Sequence, residues 1–232
     1  MSPMPRSPLS NFSLERAERA QRLLALKVRA YDDFEGSIRT VGGADVAWRG
    51  GLAIGCITVH EYPSLSLLEK SIAVVESSFP YIPTFLSFRE VKPLMEALSK
   101  LKRRPTILFV NGQGVAHPRR LGLASHLGVV ADIPTIGVAQ RVLCGRPKSP
   151  LVDVGYVELV DYVDGREEVI GYLYKSDKRF RPICISVGHR VSLETSLELT
   201  KSCIKRGLKL PFPLYSAHVE ANKEANSLGG SK

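Results

Sequence analysis

Apolar residues along this chain recur at two spacings, and the switches between them mark out the elements. From Ser13 onward, Leu14, Ala17, Leu24 and Val28 fall near one face of a 3.6-residue period, which predicts a helix to about Ala30. Ser13 suits its N-cap, and Glu15 suits the positive end of the helix dipole. Strand-like runs follow at 40–48, 52–60 and 70–77; the short Arg49-Gly50-Gly51 link predicts that the first two pair antiparallel. Pro80-Tyr81-Ile82-Pro83 breaks the pattern, and 85–101 then reads as helix, with Pro93 marking a kink or a restart. The β-branched run 106–110 stops at Asn111-Gly112-Gln113-Gly114 before a helix-like stretch at 120–129, the form of an α/β crossover. Further strands are expected at 133–139, at 154–160 and 168–175 around an Asp164-Gly165 turn, and at 182–186; a last amphipathic helix is expected at 192–205. These elements make one α/β domain over 11–224, a mixed sheet with antiparallel hairpins and helices packed on it. A basic tail at 1–10 and a second tail at 225–232 are expected to be flexible.

Composition narrows the class. At 232 residues, with 44% hydrophobic and 24% charged residues, the chain holds one well-cored domain and is not wholly disordered. Lys and Arg outnumber acids by 32 to 23, a net charge of +9, which favours a polyanionic partner through counterion release. Cys56, Cys144, Cys184 and Cys203 form no C-x-x-C pair. With no signal-peptide pattern either, neither a zinc cluster nor a disulfide framework is expected, and a reducing cytoplasm is. No apolar run reaches membrane-span length.

Several polar residues stand where chemistry could use them. Asp45 interrupts an apolar strand, where a carboxylate needs a cation or a donor. A metal ligand and a strand-edge Asp paired with arginine are equally good readings. Glu90 sits near a helix start, where the dipole alone accounts for it. Asn111 ends a strand where ligands gather in α/β sheets, although a turn asparagine before glycine explains it as well. His117, Arg119 and Arg120 follow the glycine loop and could cradle phosphate or cap a helix. Tyr81, between Pro80 and Pro83, is either a rigidly mounted aromatic wedge or a packing residue.

Together these segments resemble the endonuclease V family. Pro80-Tyr81-Ile82-Pro83-Thr84-Phe85-Leu86-Ser87-Phe88-Arg89-Glu90 is similar to the family's wedge segment. Asn111-Gly112-Gln113-Gly114-Val115-Ala116-His117-Pro118-Arg119-Arg120-Leu121-Gly122 opens a match to its longest signature, continued to Val129. Ile133-Pro134-Thr135-Ile136-Gly137-Val138-Ala139, Ser186-Val187-Gly188-His189-Arg190 and the closing Leu210-Pro211 with Ala217-His218 follow in order. The resemblance implies a ribonuclease H-like fold and Mg²⁺-dependent nicking (Mn²⁺ can substitute) of DNA one nucleotide 3′ of deoxyinosine. Inosine-containing RNA is an alternative substrate, and neither a membrane nor an obligate protein partner is implied. By the same resemblance Asp45, Glu90 and position 111 hold metal, and His218 assists near the scissile phosphate. Tyr81 fills the gap left by the lesion, and Gly112 to Gly114 line the base pocket.

Three positions depart from the family pattern. Asn111 stands where an Asp is usual, Gln140 where a Lys is usual beside the active centre, and Thr84 where a smaller residue, commonly Gly, follows the wedge. An amide offers a hard cation an oxygen without charge. The alternative expectation is therefore a weakly active or non-cleaving homologue that still binds nucleic acid.

Overall fold

In the computed structural model, which describes residues 13–77 and 79–228, the first strands form as two-sided hairpins. β1 (Thr40–Arg49) and β2 (Leu52–Glu61) pair antiparallel, and β2 pairs antiparallel with β3 (Leu67–Glu76). The turn between β1 and β2 places Gly50 and Gly51 at φ of +54° and +85°, the left-handed region where a side chain is strained. β4 (Ile107–Asn111) and β5 (Thr135–Ala139) then add parallel to β1 on its other side. β9 (Ile183–His189), β8 (Arg166–Lys175), β7 (Gly155–Val163) and the short β6 (Arg146–Pro147) extend the sheet antiparallel, for an order β3-β2-β1-β4-β5-β9-β8-β7-β6.

Helices cover both faces. α2 (Leu86–Ser99) and α3 (Leu123–Ala131) pack Leu94, Leu98, Leu123 and Leu127 over Ala44, Ile57 and Leu108. α4 (Leu193–Cys203) and α5 (Phe212–Ser227) cover the other face, and α1 (Leu14–Ala25) lies against α3. Two glycines set the approach of the helices that carry site residues. A Cβ on Gly43 would lie 2.0 Å from the Pro213 carbonyl oxygen of α5, and one on Gly55 would lie 2.5 Å from that of Pro93 in α2. Pro93 thus stays inside an unbroken α2, seated on a strand with no side chain at the contact.

Three expectations change. α1 begins at the Ser13 cap as expected but ends at Ala25, because the backbone beyond it is drawn to β9: Arg29 N–H donates to His189 Nδ1, and its carbonyl accepts from Arg190 N–H. α3 starts at Leu123 rather than at 120, since Arg120 sits at φ +54°. The frayed end expected from 225 meets α5 instead, with Ala225 buried against β1 and β2. The tail at 1–10 and the last residues, 229–232, lie outside the described residues.

Candidate active site

Asp45 on β1 and Asn111 at the end of β4 stand on neighbouring parallel strands, in the register that pairs Ala44 with Val110. Alternation along β1 turns Gly43 and Asp45 toward α5, and Ala44, Val46 and Trp48 toward α2. The Asp45 carboxylate is buried and is held from two directions. Asn111 Nδ2 donates to Oδ1 at 2.7 Å, and His218 Nδ1, from α5, meets Oδ2 at 2.7 Å. A carboxylate oxygen can only accept here, so Nδ1 carries the hydrogen. This hydrogen bond raises the His218 pKa above the ordinary imidazole value, against the opposing effect of burial. Asn222, one turn further along α5, donates to the His218 carbonyl at 2.8 Å. Strand-edge pairing of Asp45 with an arginine is not what the structure has.

Glu90 reaches the same region from α2, on the opposite face of the sheet. Burial pushes its pKa up to about 7, and the neighbouring Asp45 charge adds to the rise. The Trp48 indole N–H, 3.2 Å from Oε1, works the other way. Trp48 also carries the Arg89 guanidinium 3.7 Å above its ring, so β1 orients both residues of the Arg89-Glu90 pair. Sequence reasoning missed Trp48, because a tryptophan in a strand reads as packing.

Asp45, Glu90 and Asn111 line one cleft of about 630 Å³ together with Tyr81, Thr84, Ser87, Gly112, Gln113, His117 and Gln140. The size suits a small organic group or a base. His218 borders Asp45 from behind and does not line the cleft. Among the described residues no three His, Cys, Asp or Glu side chains gather closely enough to hold a metal ion. Asn111 is the reason in part, since it brings an amide to the Asp45 contact.

Tyr81 is 66% exposed at the mouth of the cleft, while Pro80 and Pro83 flank it without lining the cleft. The loop is pinned just behind the ring. Thr84 lies at φ +69°, and its carbonyl accepts from Gln21 Nε2 at 3.0 Å, His117 Nε2 at 3.0 Å and a terminal Arg119 nitrogen at 3.1 Å. His117 is neutral there, since burial pushes its pKa down to about 4, and its Nδ1 accepts the Arg119 backbone N–H at 3.1 Å. Arg119 also bonds to Gln21 and to the Thr84 hydroxyl, and Arg120 pairs with Asp161 and Glu168. The basic pair expected to cradle phosphate has its donors engaged inside the chain, bracing the Tyr81 loop and the β7–β8 hairpin. Gly114 is buried, and a Cβ there would lie 1.9 Å from the Val187 carbonyl oxygen, so it serves close packing; Gly112 lines the cleft, and a Cβ on it would lie 3.0 Å from Leu123 Cβ of α3. At the rim, Lys209 Nζ donates to Gln140 Oε1 at 3.3 Å, which brings an ammonium to a position where the sequence offers an amide. No local spacing signals that meeting of residues 140 and 209.

Two buried carboxylates, Asp45 within β1 and Glu90 on the α2 helix packed over it, on a mixed sheet of ribonuclease H-like order, fit a nuclease-class protein. The endonuclease V family model matches residues 22–219. The chain belongs to the endonuclease V family and is a nuclease. It is 44% identical to the endonuclease V of Thermofilum pendens over 93% of this chain and 90% of that protein. It is 40% identical to the endonuclease V of Rippkaea orientalis over 95% of each. Among solved structures, the catalytic domain of human endonuclease V superimposes with a TM-score of 0.83 at 31% identity, covering 93% of this chain and 97% of that one. The Ciona intestinalis endonuclease V, in complex with a 24mer DNA containing an inosine followed by a ribo-adenosine, gives 0.82 at 28% identity, covering 93% and 98%.

Proposed function

We propose that the protein is a metal-dependent endodeoxyribonuclease that nicks DNA one nucleotide 3′ of deoxyinosine and related deaminated bases, as a step of DNA repair in the cytoplasm. The observation that carries this reading is a single cleft lined by two buried carboxylates, Asp45 and Glu90, with an exposed aromatic ring, Tyr81, at its mouth. Residues that cut and a residue that parts the bases must share one site if a lesion is to direct the cut.

The donors fit Mg²⁺, or Mn²⁺, in kind. Asp45, Glu90 and the Asn111 side chain present oxygens, the ligand type of hard divalent cations. Glu90 is a buried carboxylate whose hydrogen-bond partner is an indole N–H, a group that a cation would stabilise as the anion. When bound, such an ion supplies polarisation of the phosphate and a reactive water. The chain itself does the rest. Asp45 fixes the His218 ring through Nδ1, which leaves Nε2 as the atom at which a proton is held or released. Tyr81 fills the space of the extruded base, and Gly112 lines the cleft beside it. Lys209, steered by Gln140, offers positive charge to a phosphate at the rim.

Mg²⁺- and Mn²⁺-dependent nicking of a deoxyinosine duplex, mapped to the nucleotide, tests this, with a chelator and Asp45→Asn as controls. Absence of cutting by both the parent and an Asn111→Asp variant would sink the reading. A second reading, a binding homologue that cuts weakly, is favoured by the Asn111 amide donating to Asp45 Oδ1. It predicts tight binding of the lesion duplex with slow nicking that Asn111→Asp accelerates. Inosine-containing RNA in the same assay decides the substrate.

A further inference from the structure

α1 presents an outward face that the cleft does not use. Its inner side is taken up by packing: Ala17 and Gln21 are buried where the helix meets α3. Glu18, beside them, pairs with Arg119 at 3.4 Å. The outward face carries Arg16, Arg19 and Arg22, all exposed, and Lys27 follows just past the helix end. Among the described residues, none of these four side chains has an ion pair or a hydrogen bond. Glu15 is the acid on that face, against these four cations.

Spacing joins the arginines into a unit. Residues three apart stand side by side on a helix surface, so Arg16, Arg19 and Arg22 form a ridge. The ridge climbs about 9 Å along the helix axis, and a DNA strand presents a phosphate every ~3.4 Å of its own axis. Two or three phosphates therefore match its length. One end of the ridge reaches the site. Burial holds the Arg119 pKa below its ordinary value; Glu18 opposes that, and the neighbouring Arg22 charge adds to it. Arg22 thus lies close to the guanidinium that holds the Thr84 carbonyl behind Tyr81, and Gln21 beside it in sequence holds the same carbonyl.

We propose that the outward face of α1 is a duplex-docking surface, on which Arg16, Arg19 and Arg22 neutralise phosphates of the DNA flanking the lesion on the side of the Tyr81 loop. This rests on the DNA substrate proposed above and adds where one flank of it lies. A basic helix can also meet a membrane or a protein groove, but those partners bury an apolar stripe. The inner side of α1 is already covered by α3, and Leu23 and Leu26, exposed among the charges, fall short of the set of anchors at helical spacing that a groove engages.

The test is the salt dependence of binding to an inosine duplex, with a chelator present to prevent cutting. Each phosphate contact contributes about 0.9 to the slope of log K against log salt, so the triple variant Arg16→Gln, Arg19→Gln, Arg22→Gln should lower the slope by about 2–3. From about 50 to 200 mM salt, the parent's advantage over the variant should then shrink by roughly fortyfold. The ratio of inosine to lesion-free affinity should stay as in the parent, because phosphate contacts carry no base information. The side chains are exposed and Gln is a good helix former, so the melting temperature should not move. Single variants, each expected to lower the slope by about 0.9, serve if the triple folds poorly. Lys102→Gln, Arg103→Gln, Arg104→Gln removes the same charge at the opposite end of β4 from Asn111 and should keep the parent slope. Shortening the duplex on one side of the inosine should erase the difference between parent and α1 variant, and shortening it on the other side should not. A parental slope in the α1 variants, an equal fall in the control, or a difference indifferent to both shortenings overturns the docking surface and leaves the proposed function standing. A parent with no preference for inosine overturns the proposed function instead, whatever the slopes.

Discussion

Replacing Asn111 by Asp tests the site most directly, because the effect changes sign with the metal. In the parent, Asn111 Nδ2 donates to Asp45 Oδ1 at 2.7 Å. The variant exchanges this donor for a second carboxylate beside a buried one, with Glu90 near enough for Asp45 to raise its pKa. Two unit charges about 4 Å apart at an effective dielectric of about 20 repel by about 4 kcal/mol. The lost hydrogen bond to a charged group adds about 1.5–3 kcal/mol. Sharing a proton caps the sum, since raising one carboxyl from its usual value to about pH 7 costs about 4 kcal/mol. Metal-free Asn111→Asp should therefore be less stable than the parent by about 2–4 kcal/mol. A divalent cation reverses the order. A ligand present at a hundred times its Kd stabilises the folded state by about 2.7 kcal/mol, and the variant, with one more anion, should reach that state at far lower Mg²⁺. Urea denaturation at neutral pH, with and without MgCl₂, reads both effects, and nicking of a deoxyinosine duplex should rise in parallel. The reasoning fails if the variant matches the parent in metal-free stability, or if Mg²⁺ stabilises the two equally.

Tyr81→Ala should weaken binding of lesion duplex by roughly 1–3 kcal/mol, the scale of one base–aromatic stack, with little change in melting temperature because the ring is exposed; a large stability loss with unchanged binding would make Tyr81 a packing residue. At Thr84, φ +69° strains any residue with a Cβ; Thr84→Ala keeps that strain and loses the hydroxyl bond to Arg119, so it should be less stable than Thr84→Gly by about 1 kcal/mol, and equal stabilities would remove backbone strain from the account. His126, buried beside Phe88, is pushed down from 6.5 to about 4 by burial alone. The unfolded chain therefore takes up its proton first as pH falls, so stability present above pH 6.5 is lost toward pH 4, with about 2 kcal/mol gone between pH 7 and 5. His126→Phe should abolish that share of the acid sensitivity, and an unchanged pH dependence in the variant would exclude His126 as its source.

Much of the sheet was legible because its strands alternate or run apolar between strong turn signals. Asp164-Gly165 does turn a hairpin, at φ of +50° and +76°. α5 was not legible, and the cause is its buried face. That face is made of Ala217, Ala221 and Ala225, small residues that carry little apolar contrast although they repeat every four positions. The carboxylates could be named from the residues, but Asp45 and His218 meet from 173 positions apart, which no spacing rule reaches. Arg119 and Arg120 show a related limit: their place after the glycine loop names two sets of donors without saying which of them the fold engages internally.

That engagement has a mechanical consequence. Phe85 caps α2 and follows Thr84 directly, and α2 carries both Ser87 and Glu90. The same carbonyl that Gln21, His117 and Arg119 hold therefore anchors the Tyr81 loop on one side and the start of the acid-bearing helix on the other. Tyr81 and Glu90 are thus referred to one fixed point of the backbone. Gln21 comes from α1, about sixty residues earlier in the chain than Thr84, so α1 acts on the site without lining it. On the proposed function, cutting at a set distance from a lesion needs such a reference, because an independently mobile Tyr81 loop and α2 would lose the offset between recognition and cut.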